Sequence, residues 1–255
     1  MSRRRIRNIL LKEWALLFTD LNSALIVTLL PFLVVGQGIL YIWLASNFAG
    51  ESMLSTQVFQ TALQKLVVAI PGVAQLPANE QLLVLLLSQF NFFLLLIPTM
   101  IAISVATFSI VEEKLSGSLE ALLATPVKTW ELLLGKALAG AIPALVVTWL
   151  SAGVFLVVVS GLGWGHLTGF VVTAGWFLTL FLLTPAVAVL SFMLGVTGSS
   201  RAKDARSAQN TVLVIIFPVL ALIGVQITGI IWFTPSLILV LALVIIIADF
   251  VTLRA

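Results

Sequence analysis

The chain has 255 residues, 61% of them hydrophobic and 9% charged, with a mean hydropathy of +1.20. Soluble domains run at roughly 45–50% apolar and about 25% charged, so a soluble enzyme, a nucleic-acid binder and a disordered chain are all excluded. The formal net charge is +3, and with no cysteine, one histidine and one tyrosine there is no disulfide framework, thiolate metal site or cysteine nucleophile. The sequence reads as an all-α integral membrane protein, a single domain over residues 1–255.

Residues 4–19 are amphipathic at helical spacing. Ile6, Ile9, Leu10, Trp14, Leu17 and Phe18 share one face, with Arg7, Lys12 and Glu13 opposite. A basic amphipathic helix directly before a span is expected to lie in the inner headgroup plane, a simple charge anchor being the plainer alternative. The apolar run that follows begins too late and lasts too long for a cleaved signal peptide.

A span needs about 20 mostly apolar residues. Six runs qualify, at residues 22–45, 82–111, 137–160, 167–196, 211–228 and 235–252. The second and fourth are long enough to tilt or protrude. Between the first two lies the longest outer loop, 46–81, where Leu54, Val58, Ala62 and Leu66 recur at helical spacing until Pro71-Gly72. It predicts a short helix on the outer leaflet. In the second span Gln89, Asn91, Ser104 and Thr107, and in the fifth Gln226, are candidates for hydrogen bonds between helices, with pore lining as the alternative.

Residues 112–136, EEKLSGSLEALLATPVKTWELLLGK, carry seven charges yet keep an apolar helical pattern at Leu119, Leu122 and Leu123. Gly117 permits a sharp turn after the second span. Ser118 can cap a new helix, with Glu120 in its first turn, and Thr125-Pro126 stops that helix and starts the next. The pattern predicts a short helix held crosswise between two spans, suited to docking into a partner's groove.

Farther on, His166 stands at an outer turn without a carboxylate cluster, and Gly165 and Gly169 have helix-packing spacing. The loop 197–210 is polar and basic. A bend from Gly229 to Thr234, ending in Pro235, folds the last two spans into a tight hairpin, a re-entrant pair being the alternative. Asp249 lies near the inner end of the last span, within reach of Arg254. With so few intramembrane ionisable residues, a proton- or sodium-coupled carrier is disfavoured.

Orientation follows from basic residues in the short loops. With the N-terminus cytoplasmic, twelve of the thirteen basic residues fall inside and only Lys65 falls outside. Trp43, Trp164 and Trp232 cluster with Tyr41 at outer ends, and Trp14 and Trp130 at inner ones, as interfacial anchors would.

At residues 112–136 the sequence resembles the permease subunits of the type 2 ATP-binding-cassette (ABC) exporters. The matching residues are Glu113, Gly117, Ser118, Glu120, Leu122, Leu123, Pro126, Val127, Gly135 and Lys136. Two weaker echoes are Lys12-Glu13, Asp20 and Pro31, like the family's elbow helix, and Arg206, Ala208, Gln209 and Pro218, like its approach to the fifth span. Leu115 and Ser116 depart from the pattern, standing where many members carry a charge.

The resemblance implies an exporter subunit of the cytoplasmic (inner) membrane, with both termini cytoplasmic. Two six-span permeases, as a homodimer or a related heterodimer, would each rest on a cytoplasmic ABC ATPase. ATP would bind the partner, because this chain has no G-x-x-x-x-G-K-[ST] loop; it would be a transport subunit, not an enzyme, with no cofactor or metal of its own. Glu113, Gly117, Ser118, Glu120, Leu122, Leu123, Pro126, Gly135 and Lys136 would couple it to that ATPase. A passive channel, a secondary carrier and a non-transporting scaffold stand as alternatives, and no substrate is legible.

Overall fold

The computed structural model describes residues 2–19, 21–115, 117, 129–201 and 205–254, and among them every regular element is helical. The chain opens with α1 (Ser2–Thr19) and α2 (Leu21–Leu44). After a π-helical turn at Ala45–Ala49 come α3 (Gly50–Ser55) and α4 (Gln57–Ala69). Next are α5 (Ala78–Phe93) and α6 (Leu96–Leu115), then α7 (Thr129–Val159) and the short α8 (Thr168–Val171). The remainder comprises α9 (Ala174–Leu178), α10 (Thr184–Arg201), α11 (Ala205–Ile227) and α12 (Pro235–Arg254).

Five stretches are long and apolar enough to cross a membrane: Ala24–Phe48, Ala78–Ala106, Leu134–Val171, Ala174–Ser199 and Pro235–Leu253. The sixth expected span falls in α11, whose described apolar portion, Ile216–Ile227, is shorter than a crossing. The fourth span differs from its expected start at residue 167. Gly163, with φ 86°, kinks the third stretch, and α8 is a separate turn at its end that stops at Val172. The fourth span therefore begins at Ala174.

The α5–α6 segment is the centre of the bundle. Of its most apolar stretch 72% is buried, against 11% for α12, so α12 lies at the periphery. Pro98 explains the break between α5 and α6. Lacking an N–H, it cannot bond the Leu94 carbonyl four residues back. That carbonyl takes the Ile97 N–H instead at 3.3 Å, and Thr99 Oγ1 donates to Leu95 O at 2.7 Å. α6 packs most extensively on α10. Gly195 is the reason: a Cβ there would come 2.9 Å from Ala106 Cβ and 3.3 Å from Ile103 Cα. Lipid tails are as apolar as leucine, so helices in membranes associate by such close backbone approach.

The predicted outer helix exists as α4, but it is docked on protein. Ala62 and Leu66 are fully buried in the main core, while Val58 remains exposed. α4 covers the α11–α12 turn, where Gly229 adopts φ +65° and a Cβ would meet Ala62 Cα at 2.8 Å. Lys65 Nζ donates to the Gly229 carbonyl and, at 2.8 Å, to the Ile230 carbonyl. The turn's carbonyls have no intrahelical partner, and Lys65 supplies the donor. Thr234 Oγ1 accepts from Leu237 N–H at 3.4 Å, with Pro235 at the first position of α12, so the restart is a capped one.

Candidate functional site

The resemblance places its residues at the α1 end of the bundle. Ser118, Glu120, Leu122, Leu123, Pro126 and Val127 lie outside the described residues. Glu113 belongs to α6 by its backbone. Gly117 is an exposed turn residue with φ +69°, a conformation that a Cβ makes costly. The sequence expectation of a sharp glycine turn at the end of the second span is met there.

Gly135 and Lys136 stand in the second turn of α7, and there α1 docks. A Cβ on Gly135 would lie 2.9 Å from Ile9 Cγ2, so the glycine forms a notch that seats Ile9. Lys136 Nζ is 3.2 Å from Glu13 Oε1, with the two side chains 2% and 7% exposed. One turn farther along α7, Trp14 Nε1–H donates to the Ala139 carbonyl at 2.9 Å.

That last bond has a cause in the sequence. Pro143 lies inside α7, four residues after Ala139, and has no N–H to give to the Ala139 carbonyl. Ala139 is only 1% exposed, and a buried carbonyl without a donor is costly. The Trp14 indole supplies the missing donor from another helix. Ile9, Glu13 and Trp14 share one face of α1, and Gly135, Lys136 and Ala139 share one face of α7.

One sequence reading changes here. Glu13 was placed on the solvent face of an amphipathic helix, but it is turned inward to Lys136. The charge is tolerated because an opposite charge meets it. Phe18, assigned to the apolar face, is 56% exposed, as are Leu11 and Leu16 at 52% and 45%. Trp14, expected as an interfacial anchor, is also a hydrogen-bond donor between helices.

The opposite end holds the other singled-out residues. His166 has a neighbour that the sequence did not indicate: its Nε2 is 3.5 Å from Glu80 Oε1, and both are partly exposed. Gly169 has open space where a Cβ would stand, so the Gly165–Gly169 spacing packs no helix within this chain. The Asp249 carboxylate has a buried oxygen, Oδ1, with no hydrogen-bond partner among the described residues.

Gln89 and Asn91 of the second span are buried, and the bonds between helices expected of them are not seen, while the side chain of Thr107 lies outside the described residues. Both amide atoms of Gln89 and the Oδ1 of Asn91 lack partners among the described residues. Gln89 lines a cavity of about 170 Å³ with Gly38, Tyr41, Met53 and Phe90. Gln226 Oε1 accepts from Phe233 N–H at 3.0 Å, so it closes the α11–α12 hairpin.

The family model for the ABC-2 family transporter protein matches residues 7–239. The chain belongs to that family. The match runs from α1 into α12, so the docking of α1 on α7 lies within the shared region. No curated protein and no solved structure matches the chain. The type 2 ABC permease is thus a multi-pass membrane subunit of a transport system, and its family implies an ATP-binding partner. Neither Glu13 nor Trp14 stood out as functional in the sequence. An available signal was Pro143, whose orphaned carbonyl calls for a donor without saying which.

Proposed function

We propose that this permease is one half of an ATP-driven exporter in the cytoplasmic membrane, with both termini cytoplasmic. A second copy or a related permease faces it, and each rests on a cytoplasmic ABC ATPase that binds the ATP. Residues 118–125 form the coupling helix, with Glu113, Gly117, Ser118, Glu120, Leu122, Leu123 and Pro126 in the contact, and Gly135 and Lys136 carry the motion onward.

The observation that carries this reading is the arrangement at the α1 end, within the family match. The 118–128 segment joins α6 to α7, and the first turns of α7 are fixed to α1 by Ile9, Glu13 and Trp14. A push on the segment reaches the central α6 directly. Through α7 it also moves α1 as one body, because two packed helices cannot slide without breaking the ion pair and the indole bond.

The test is purification of the tagged chain from its native host in mild detergent, with mass spectrometry of what accompanies it. A stoichiometric P-loop ATPase, lost when residues 118–125 are disrupted, is the expected result. Glu120→Arg should then separate ATP hydrolysis from vesicle transport without preventing insertion. A chain that purifies only with itself, under conditions that preserve other ABC complexes, would favour a channel or carrier instead.

A further inference from the structure

At the end of the bundle opposite α1, a cavity of about 180 Å³ opens between α5, the start of α9 and the α11–α12 hairpin. Phe92, Trp176, Trp232, Phe233 and Ile238 give it apolar and aromatic walls, and no charged side chain lines it. Ser88, Asn91, Thr173, Gln226 and Thr234 add polar groups to the wall. Asn91 is 5% exposed, lines the cavity, and has an amide oxygen with no hydrogen-bond partner among the described residues. The second amide on the wall, Gln226, already accepts from the Phe233 N–H.

Leaving a buried acceptor unpaired costs about 1–3 kcal/mol, and natural proteins keep such groups rare. An unpaired acceptor in a chamber with both aromatic and polar wall residues favours a ligand with a donor and an apolar body. The absence of charge on the wall rejects ions, because a bare charge in such surroundings is unpaired. Size sets a further bound: an apolar cavity of about 150 Å³ takes a benzene molecule. This one takes a single ring or a short alkyl stretch beside a hydroxyl. Water is the competing occupant, since it needs two to four polar partners and Ser88, Thr173, Gln226 and Thr234 share the wall with Asn91; the comparison of octanol with octane separates the two.

We propose that this cavity is a binding site for a neutral, hydroxyl-bearing amphiphile whose O–H donates to Asn91 Oδ1 while its apolar part lies against Trp176, Trp232 and Phe233. The site is independent of the coupling end and lies on the other face of α5 from the Gln89 cavity. The hydroxyl can belong to a membrane lipid or to a free amphiphilic alcohol, since both present the same group.

The experiment uses the full-length chain in phosphatidylcholine nanodiscs with a diazirine-bearing octanol as photolabel, and adducts mapped by mass spectrometry. Adducts are expected on Phe92, Trp176, Trp232 or Phe233, displaced by excess 1-octanol at concentrations where octane does not displace them. Asn91→Leu should weaken labelling roughly three- to tenfold, the worth of one hydrogen bond, and Gly175→Leu should fill the chamber and abolish it. The octanol-against-octane comparison needs no variant, so it decides the matter even if a substitution impairs folding. Competition by diacylglycerol in the nanodisc would assign the hydroxyl to a lipid; its failure beside effective 1-octanol would assign it to a free alcohol. Labels scattered over lipid-facing helices, equal displacement by octane, or undiminished labelling of a folded Asn91→Leu protein would overturn the proposal and leave a chamber holding water only. No ATPase takes part, so failure here would leave the permease reading untouched.

Discussion

Trp14→Phe should destabilise the protein only as long as Pro143 is present. The substitution keeps an aromatic ring against α7 and removes the indole N–H that donates to Ala139 O at 2.9 Å. Ala139 is 1% exposed, so its carbonyl would be left without a donor in dry surroundings, at about 1–3 kcal/mol. Pro143→Ala changes that. It puts an N–H four residues beyond Ala139, where the ordinary helical bond forms, and it relieves a helix-interior proline. Trp14→Phe should then cost no more than about 0.5 kcal/mol, the lost ring contacts alone. The two substitutions should therefore couple by about 1 kcal/mol or more, a size typical of residues in one hydrogen-bond network. The assay is equilibrium unfolding in mixed micelles, followed by circular dichroism, for the wild type, both single variants and the double variant. If Trp14→Phe costs the same with and without Pro143, the indole bond does not compensate for the proline, and the account of α1 docking fails.

Lys136→Met should destabilise by about 3–5 kcal/mol, since it removes the opposite charge 3.2 Å from a buried Glu13, whereas Glu13→Leu with Lys136→Met should come much closer to wild type. Melting temperatures of Lys136→Met, Glu13→Leu and the double variant check this, and two single variants that melt like wild type would refute a desolvated pair. Gly229→Ala should cost at least about 2 kcal/mol, combining a left-handed backbone with a clash at the Ala62 backbone. It should also undock α4, read as faster maleimide labelling of Leu66→Cys in that background. Because the chain has no cysteine, single-cysteine topology mapping is direct. With both termini cytoplasmic, an impermeant maleimide should label Gln64→Cys on intact cells and Leu11→Cys only after permeabilisation, and the opposite pattern would reverse the orientation.

Much of the fold was legible because membrane spans are local objects. A backbone in hydrocarbon must satisfy its own hydrogen bonds, so each apolar run of sufficient length declares a helix, and its ends follow from Pro71, Gly117, Gly229 and Pro235. α4 and the bend between α11 and α12 follow on those grounds and are observed, but the two helices pack against α10 and not tightly against each other as expected. The start of the fourth span was misplaced by several residues because residues 167–173 are as apolar as the span itself. The reversal comes from Gly163 and the separate turn of α8, which composition does not mark.

What surrounds each helix was not legible, and the reason is the solvent. In water an apolar face is a buried face, but here lipid and core are equally apolar, so periodicity loses its meaning. It assigns Glu13 to a solvated face, and the structure buries it against Lys136; Phe18, on the apolar face, is left exposed rather than packed on protein. α4 was read as lying on a leaflet when it lies on Gly229. The coupling residues Gly135 and Lys136 were found by resemblance, yet their partners Ile9 and Glu13 came only from the packing. The sequence by itself determined the membrane class, the helices, most of their ends and the family resemblance, all written in local apolar runs, turn residues and short motifs. Only the tertiary structure decided that Trp14 completes the bond Pro143 leaves open, that Lys65 holds the α11–α12 turn and that Asn91 faces a chamber. Those pairings join residues as far as 125 and 165 positions apart, and no local rule of helix chemistry reaches across that distance.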